Sequence, residues 1–226
     1  GIGRFTKQLR KEADASFERF VNHPFQVEMR RGTLAAKPFG QYLMQDALYL
    51  IEDAKAFTAV AIRCEEEDNK ASLFFRQMAS DSYALEAEMQ GHFFQLYQLT
   101  PALKPSEVCG AYTRFLMQHA HLSPLPVAFA ALLPCFWLFQ EAALEPWVAP
   151  NRYHAWLTTY SGEAYLAFTK QFIGIMEQAV SQNTPQAITE AAIAAFLTSA
   201  NWECRFLDEA CQSNPDRLRN GSIEGS

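Results

Sequence analysis

An all-α, single-domain fold is what this sequence predicts, and three observations carry the expectation. Apolar residues recur at the three-and-four spacing of amphipathic helices along nearly the whole chain, and no stretch alternates with period two for long enough to make a strand. Of the 226 residues, 49% are hydrophobic, enough to fill one large core. No period of 20 to 50 residues repeats, which argues against a solenoid.

Each element follows from local signals. Phe5, Leu9, Ala13, Phe17, Phe20 and Val21 mark an opening amphipathic helix that Pro24 breaks. A short helix over about 25–31 stops at Gly32, and Lys37-Pro38 opens a long one that runs to about 65. Asp68 or Asn69 can cap the next, about 70–99, which closes at "LTPALKP". Ser106 stands ahead of another, about 107–121, ended by "HLSPLP". The most apolar helix runs from about 127 to 144 and holds "LLPCFWLFQEAAL". After the turn-rich "EPWVAPNRY" come a helix near 153–181, with a bend expected at Ser161-Gly162, and a last one from about Pro185 to Cys211. The ending "NGSIEGS" reads as a disordered tail or a vector-derived remnant, which sets the domain at 1–215 and the tail at 216–226.

Composition removes several function classes. The formal net charge is −6 and the basic residues are dispersed, so the concentrated positive surface that nucleic acid needs is missing. The longest apolar run, 125–139, is interrupted by Pro126 and Pro134 and falls short of the roughly 20 residues of a membrane span. Five scattered cysteines, none spaced C-x-x-C, suggest neither a disulfide framework nor a zinc knuckle, and fit a reducing, cytoplasmic setting. A di-iron bundle would need paired Glu-x-x-His motifs, and none occurs; Glu88 and His92 alone make a two-residue pair. A haem held by a lone histidine ranks low.

Against that background a few polar residues stand out. Asp46 and Tyr49 share one face of the long helix, bracketed by Leu43, Leu50 and Ala54; a hydrogen bond to a neighbouring helix end or an arginine partner would also explain an acid there. Glu203 shares a stripe with Phe206 beside Trp202, and a carboxyl walled by aromatics is prepared for acid and base work near neutrality, although a half-exposed, inert Glu203 fits the same spacing. Cys135 taken alone is better read as core packing, since apolar neighbours raise a thiol's pKa. As a nucleophile it would need a base such as Glu203 from another helix. Tyr112 and Tyr160 are phenols on core-like faces, where one structural hydrogen bond is the default.

Together these residues say more. "HPFQVEMRRGTL", "FGQYLMQDALYL", "AYTRFL", "LLPCFWLFQEA", "WLTTYSGEAY" and "ANWECRFLDEAC", in this order and at these separations, resemble the TenA family, the thiaminase II enzymes, over residues from about 5 to 212. No single piece is specific; six in register are. The resemblance implies a haem-oxygenase-like helical bundle, a homotetramer, and no haem, metal or other cofactor. It implies a hydrolase that converts 4-amino-5-aminomethyl-2-methylpyrimidine to the hydroxymethylpyrimidine in thiamin salvage and, in many members, splits thiamin.

Position by position, the resemblance makes Cys135 the nucleophile, Glu203 the acid/base and Asp46 the carboxylate that holds the pyrimidine. Tyr49, Tyr112, Tyr160, Phe206 and the position of Phe139 become the aromatic pocket. Two residues depart from the pattern: Phe136 and Phe139 stand where a proline and a tyrosine are expected, which implies that Glu203 is held differently if that phenol normally bonds it. A pyrimidine-binding or regulatory protein on the same fold is the alternative that this departure suggests.

Overall fold

The computed structural model describes residues 2–212 and contains helices, turns and loops; among the described residues there is no strand. Residues 213–226, and with them the tail expected at 216–226 and the last three residues of the expected domain, lie outside the described residues. The helices are α1 (Arg4–Glu12), α2 (Asp14–Val21), α3 (Pro24–Arg31), α4 (Ala36–Cys64) and α5 (Asn69–Glu88). A π-helical turn, Met89–Phe93, joins α5 to α6 (Phe94–Leu96). Then follow α7 (Glu107–Leu122), α8 (Leu125–Ala143), α9 (His154–Tyr160), α10 (Glu163–Ala179) and α11 (Gln186–Gln212).

Locally encoded ends fall where the sequence puts them. Gly32 ends α3 in the left-handed region at φ 75°, and the Asn151 side chain donates to the carbonyls of Met29 and Arg30 at 2.9 and 3.1 Å, occupying acceptors the helix leaves open. Asp68 accepts from the Ala71 N–H at 3.1 Å and Ser106 from that of Cys109 at 3.2 Å. Pro24 not only breaks the first helical region but also opens α3, because a missing N–H is harmless in the first turn.

Three features differ from the expectation, and each has a tertiary cause. The single opening helix is two, divided at Ala13 (φ −92°, ψ 9°), so that Leu9 of α1 and Phe17 of α2 both reach the core. The helix expected over 70–99 contains the π turn, whose extra residue lets Met89, Phe93 and Phe94 all face inward. The expected bend at Ser161-Gly162 is a full break between α9 and α10.

The bundle is organised around two long buried helices. α4 packs against α5 and α7, and α8 against α11, α10 and α7, with α2 closing one side. α8 has the length and composition of a membrane span, but most of it is buried inside the bundle, as a core helix would be. Close approach shows at Gly40, where a Cβ would come within 2.7 Å of Leu99. Among the described residues the interior is dense with rings, for example Phe17 between Trp137 (5.9 Å) and Phe196 (6.2 Å).

Candidate active site

Where α4, α5, α8, α9 and α10 meet, the bundle encloses a cavity of about 340 Å³. Asp46, Tyr49 and Asp53 line it from α4 because they sit at i, i+3 and i+7 on one helical stripe. Cys135, Phe136 and Phe139 come from α8, Tyr160 from the end of α9, Tyr165 from the start of α10, and Asp81 with Ser82 from α5. The break at Ser161-Gly162 is what allows Tyr160 and Tyr165, on two helices, to face the same space.

Glu203 of α11 lies just behind this wall, 5% exposed, and accepts a hydrogen bond from the Tyr112 phenol at 2.8 Å. The Cys135 thiol lies close enough to favour the ionised form of Glu203. Sequence spacing cannot bring residues 135 and 203 together; the packing of α8 on α11 does. Cys64, Cys109 and Cys204, by contrast, are buried in helix packing, with the Cys109 and Cys204 sulfurs on the carbonyls of Gln45 (3.6 Å) and Ser16 (3.4 Å).

Three acids are thus withdrawn from water within one region: Asp46 at 7% exposure, Asp53 at 3% and Glu203 at 5%. Burial pushes Glu203 up to about 7, with the hydrogen bond from Tyr112 and the nearby Cys135 thiol pulling back down. Asp46 is raised well above the carboxylate range by burial and then by the charge of Glu203. Asp53 is raised by burial and Glu203, against a lowering hydrogen bond from Tyr49, whose phenol donates to its Oδ1 at 3.4 Å. Burial also holds the Cys135 thiol well above its ordinary value, with Glu203, Asp53 and Asp46 adding to the shift and the neighbouring Tyr49 phenol opposing it. The resting thiol is therefore neutral.

Of the four buried side-chain polar atoms without a partner among the described residues, one belongs to a residue lining this cavity. Asp46 Oδ2 is buried and makes no hydrogen bond in the structure, an arrangement that costs stability unless a ligand completes it.

The aromatic residues divide into two rows. Tyr49, Phe139 and Tyr160 are on the wall, and Phe139 stacks on Tyr160 at 5.0 Å with its other edge against Phe20 at 5.2 Å. Tyr112 and Phe206 stand behind: Tyr112 holds Glu203, and Phe206 braces Tyr49 (6.2 Å) and Tyr42 (5.5 Å) edge-on rather than lining the cavity. Phe136 lies flat on Tyr165 at 5.7 Å. Sequence reasoning did not single out Asp53, Asp81 or Tyr165. The first was legible, since it continues the Asp46–Tyr49 stripe by one more turn, but beside Glu52 and Lys55 it reads as part of a solvated charge run.

The fold and the cavity define an all-helical protein with a half-buried thiol, a nearby buried carboxyl and an aromatic-walled pocket. The chain belongs to the TENA/THI-4/PQQC family, whose model matches residues 10–213. It is 29% identical to the thiamine biosynthesis multifunctional protein ThiED of Corynebacterium glutamicum, over 92% of this chain and 27% of that protein, so it spans about a quarter of that relative's length. It is 25% identical to the aminopyrimidine aminohydrolase of Helicobacter pylori, over 92% of this chain and 99% of that protein. The corresponding figures for the aminopyrimidine aminohydrolase of Bacillus subtilis are 24%, 90% and 88%. Among solved structures, the TenA homologue from Pyrococcus furiosus superposes with a TM-score of 0.83 at 20% identity, over 92% of this chain and all of that one. The TenA homologue from P. horikoshii gives 0.81 at 22%, over 94% and 100%. The fold is therefore the all-helical, haem-oxygenase-like bundle.

Proposed function

We propose that this protein is an aminopyrimidine hydrolase of thiamin salvage that uses Cys135 as nucleophile, Glu203 as acid and base, and Asp46 as the anchor of the ring. The observation that carries the reading is the nearness of the half-buried Cys135 thiol to a buried carboxyl raised to about 7, beside a cavity lined by Asp46, one of whose oxygens has no partner. The relatives named aminopyrimidine aminohydrolase, matched over almost the whole chain, support it. Their name gives the substrate class, an aminopyrimidine, and the motif resemblance implies 4-amino-5-aminomethyl-2-methylpyrimidine, with thiamin as a second substrate.

Asp46 suits an aminopyrimidine edge in either protonation state. As the neutral acid that burial favours, it donates from one oxygen to the ring nitrogen and accepts from the amino group with the other. If the ring takes the proton, the carboxylate accepts from both, and the pair carries the same total charge. A ring polarised in this way is electron-poor enough for a thiolate to add to a ring carbon.

The proton then follows Glu203. The ionised carboxyl takes the Cys135 proton as sulfur adds, and returns it to the amine as the C–N bond on the exocyclic methylene breaks and ammonia leaves. Water adds to that methylene while Glu203 removes one of its protons. The C–S bond then breaks, and the ring regains aromaticity as the hydroxymethylpyrimidine. Tyr112 keeps Glu203 aimed throughout, which answers the missing phenol at Phe139 with another donor. Phe139, Tyr160 and Tyr165 supply flat faces for the ring and keep bulk water out, strengthening the polar contacts.

The proposal extends to a homotetramer in the cytoplasm. Ile62 on α4 and Leu73 on α5, both 58% exposed, are apolar side chains that an interface would cover. Chromatography of products from the aminomethylpyrimidine and from thiamin tests the reading. Wild type forms hydroxymethylpyrimidine, and Cys135→Ala loses about 10³-fold or more in rate. Equal rates for the two proteins remove the mechanism; tight pyrimidine binding without turnover makes this a binding protein instead.

A further inference from the structure

The cavity is longer than the ring that Asp46 would hold. From Asp46 to Asp53 is seven residues of α4, about 10 Å along the helix axis. Because α4 and α5 form an antiparallel hairpin joined by residues 65–68, the level of Asp53 on α4 corresponds to the level of Asp81 on α5, one turn from Leu85. Both acids line the cavity. Asp53 is buried, whereas Asp81 is partly exposed, with its Oδ1 taking a hydrogen bond from Gln77 at 2.7 Å, and so it stands where the cavity meets solvent.

No lysine, arginine or histidine is among the residues that line this space. Three aspartates do, a fourth acid, Glu203, stands behind the wall, and Asp46 Oδ2 is left without a partner. Burial holds Asp46 and Asp53 toward their neutral forms, and with no basic side chain on the wall it is a positive charge on the ligand that would draw them into the ionised form.

We propose that Asp53 and Asp81 make the far end of the cavity a cation-selecting subsite, which takes a leaving group bearing positive charge, an alkylammonium or an azolium, and refuses one bearing a phosphate. This rests on the function proposed above and adds its charge specificity: Asp46 receives the ring, and Asp53 and Asp81 sort the leaving group. The same charge has a second effect, since a cation bound near Cys135 lowers the cost of forming its thiolate among acids that oppose it. A phosphate ester would bring no positive charge to ionise those acids and would find no donor side chain of basic type on the wall.

Thiamin and thiamin monophosphate differ only by a phosphate on the leaving thiazolium, and their kcat/KM values are the test. Wild type favours thiamin by about tenfold or more. Asp81→Asn narrows that ratio by roughly threefold and Asp81→Lys by more, because the changed charge lies at the rim, and raised salt narrows the wild-type ratio in the same direction. Equal use of the two substrates by wild type overturns the proposal, as does an unchanged ratio in Asp81→Lys. If wild type cleaves neither, the proposed function has failed, and the subsite is judged by calorimetric binding of the 5-aminomethyl, 5-hydroxymethyl and phosphorylated hydroxymethyl pyrimidines. Affinity falling from cation to neutral to anion upholds it; no order by charge overturns it.

Discussion

Four of the five helices that carry the cavity also build, one to two turns further along, a cluster made only of rings. Phe57 follows Asp53 by one turn of α4, Phe75 precedes Asp81 by less than two on α5, Phe129 precedes Cys135 on α8, and Phe172 follows Tyr165 on α10. There Phe75 meets Phe129 at 5.1 Å, Phe172 at 5.2 Å and Phe57 at 6.0 Å, and its exposure is nil. Both regions are interior, and they differ in what is withdrawn from water. Burying rings stabilises the fold; burying Asp46, Asp53 and Glu203 works against it whenever those acids ionise. One end holds the bundle together, and the other uses that stability to keep acids where chemistry needs them.

Exchanging the behaviour of the two ends sharpens the contrast. Phe75→Ala, at the ring cluster, costs about 3–5 kcal/mol of unfolding free energy by denaturant titration. The kcat of the fraction that stays folded remains that of wild type. A loss of kcat in the folded fraction as large as that of Cys135→Ala would show that the two ends are not separable.

Glu203→Gln acts in the opposite sense and somewhat more weakly. Its folded pKa is raised from an ordinary 4.5 to about 7, so the native state binds the proton more tightly than the unfolded chain. The stability this contributes is complete below about pH 4.5 and is lost as pH rises through 7. At about 1.4 kcal/mol per unit, the ionised form at pH 8 carries a penalty of about 3 kcal/mol. The variant, which keeps an oxygen for the Tyr112 donor, should therefore be about 3 kcal/mol more stable than wild type at pH 8 and equal to it near pH 4, while losing activity. A variant less stable at pH 8 would mean that Glu203 is ionised without penalty.

The same contrast explains what the sequence could and could not reveal. Helix ends at Gly32, Asp68, Ser106 and Pro185 were legible because a cap depends on a few neighbouring residues. The break at Ala13 and the π turn at Met89 were not, because each exists to aim side chains at a core assembled from distant segments. Asp46 and Tyr49 were legible as one stripe, and the resemblance to the family drew Cys135, Glu203, Tyr112, Phe139, Tyr160 and Phe206 together. Their division into wall and support was not, since Phe206 and Tyr112 differ from Tyr160 only in which neighbour stands in front of them. Asp81 had no signal at all: on α5, exposed on one side, it is an ordinary helix-surface acid until α4 is laid against it.

The account turns on Glu203 as a buried base that gains its charge near neutrality beside Cys135, and the pH profile of kcat/KM for ammonia release from the aminomethylpyrimidine tests it most directly. Wild type should show an acidic limb that rises through a midpoint near 7, and the residual rate of Glu203→Gln should lack that limb, whereas a limb borne by the substrate would persist in the variant. A wild-type rate that stays flat down to pH 5, or a limb unchanged in Glu203→Gln, would contradict it.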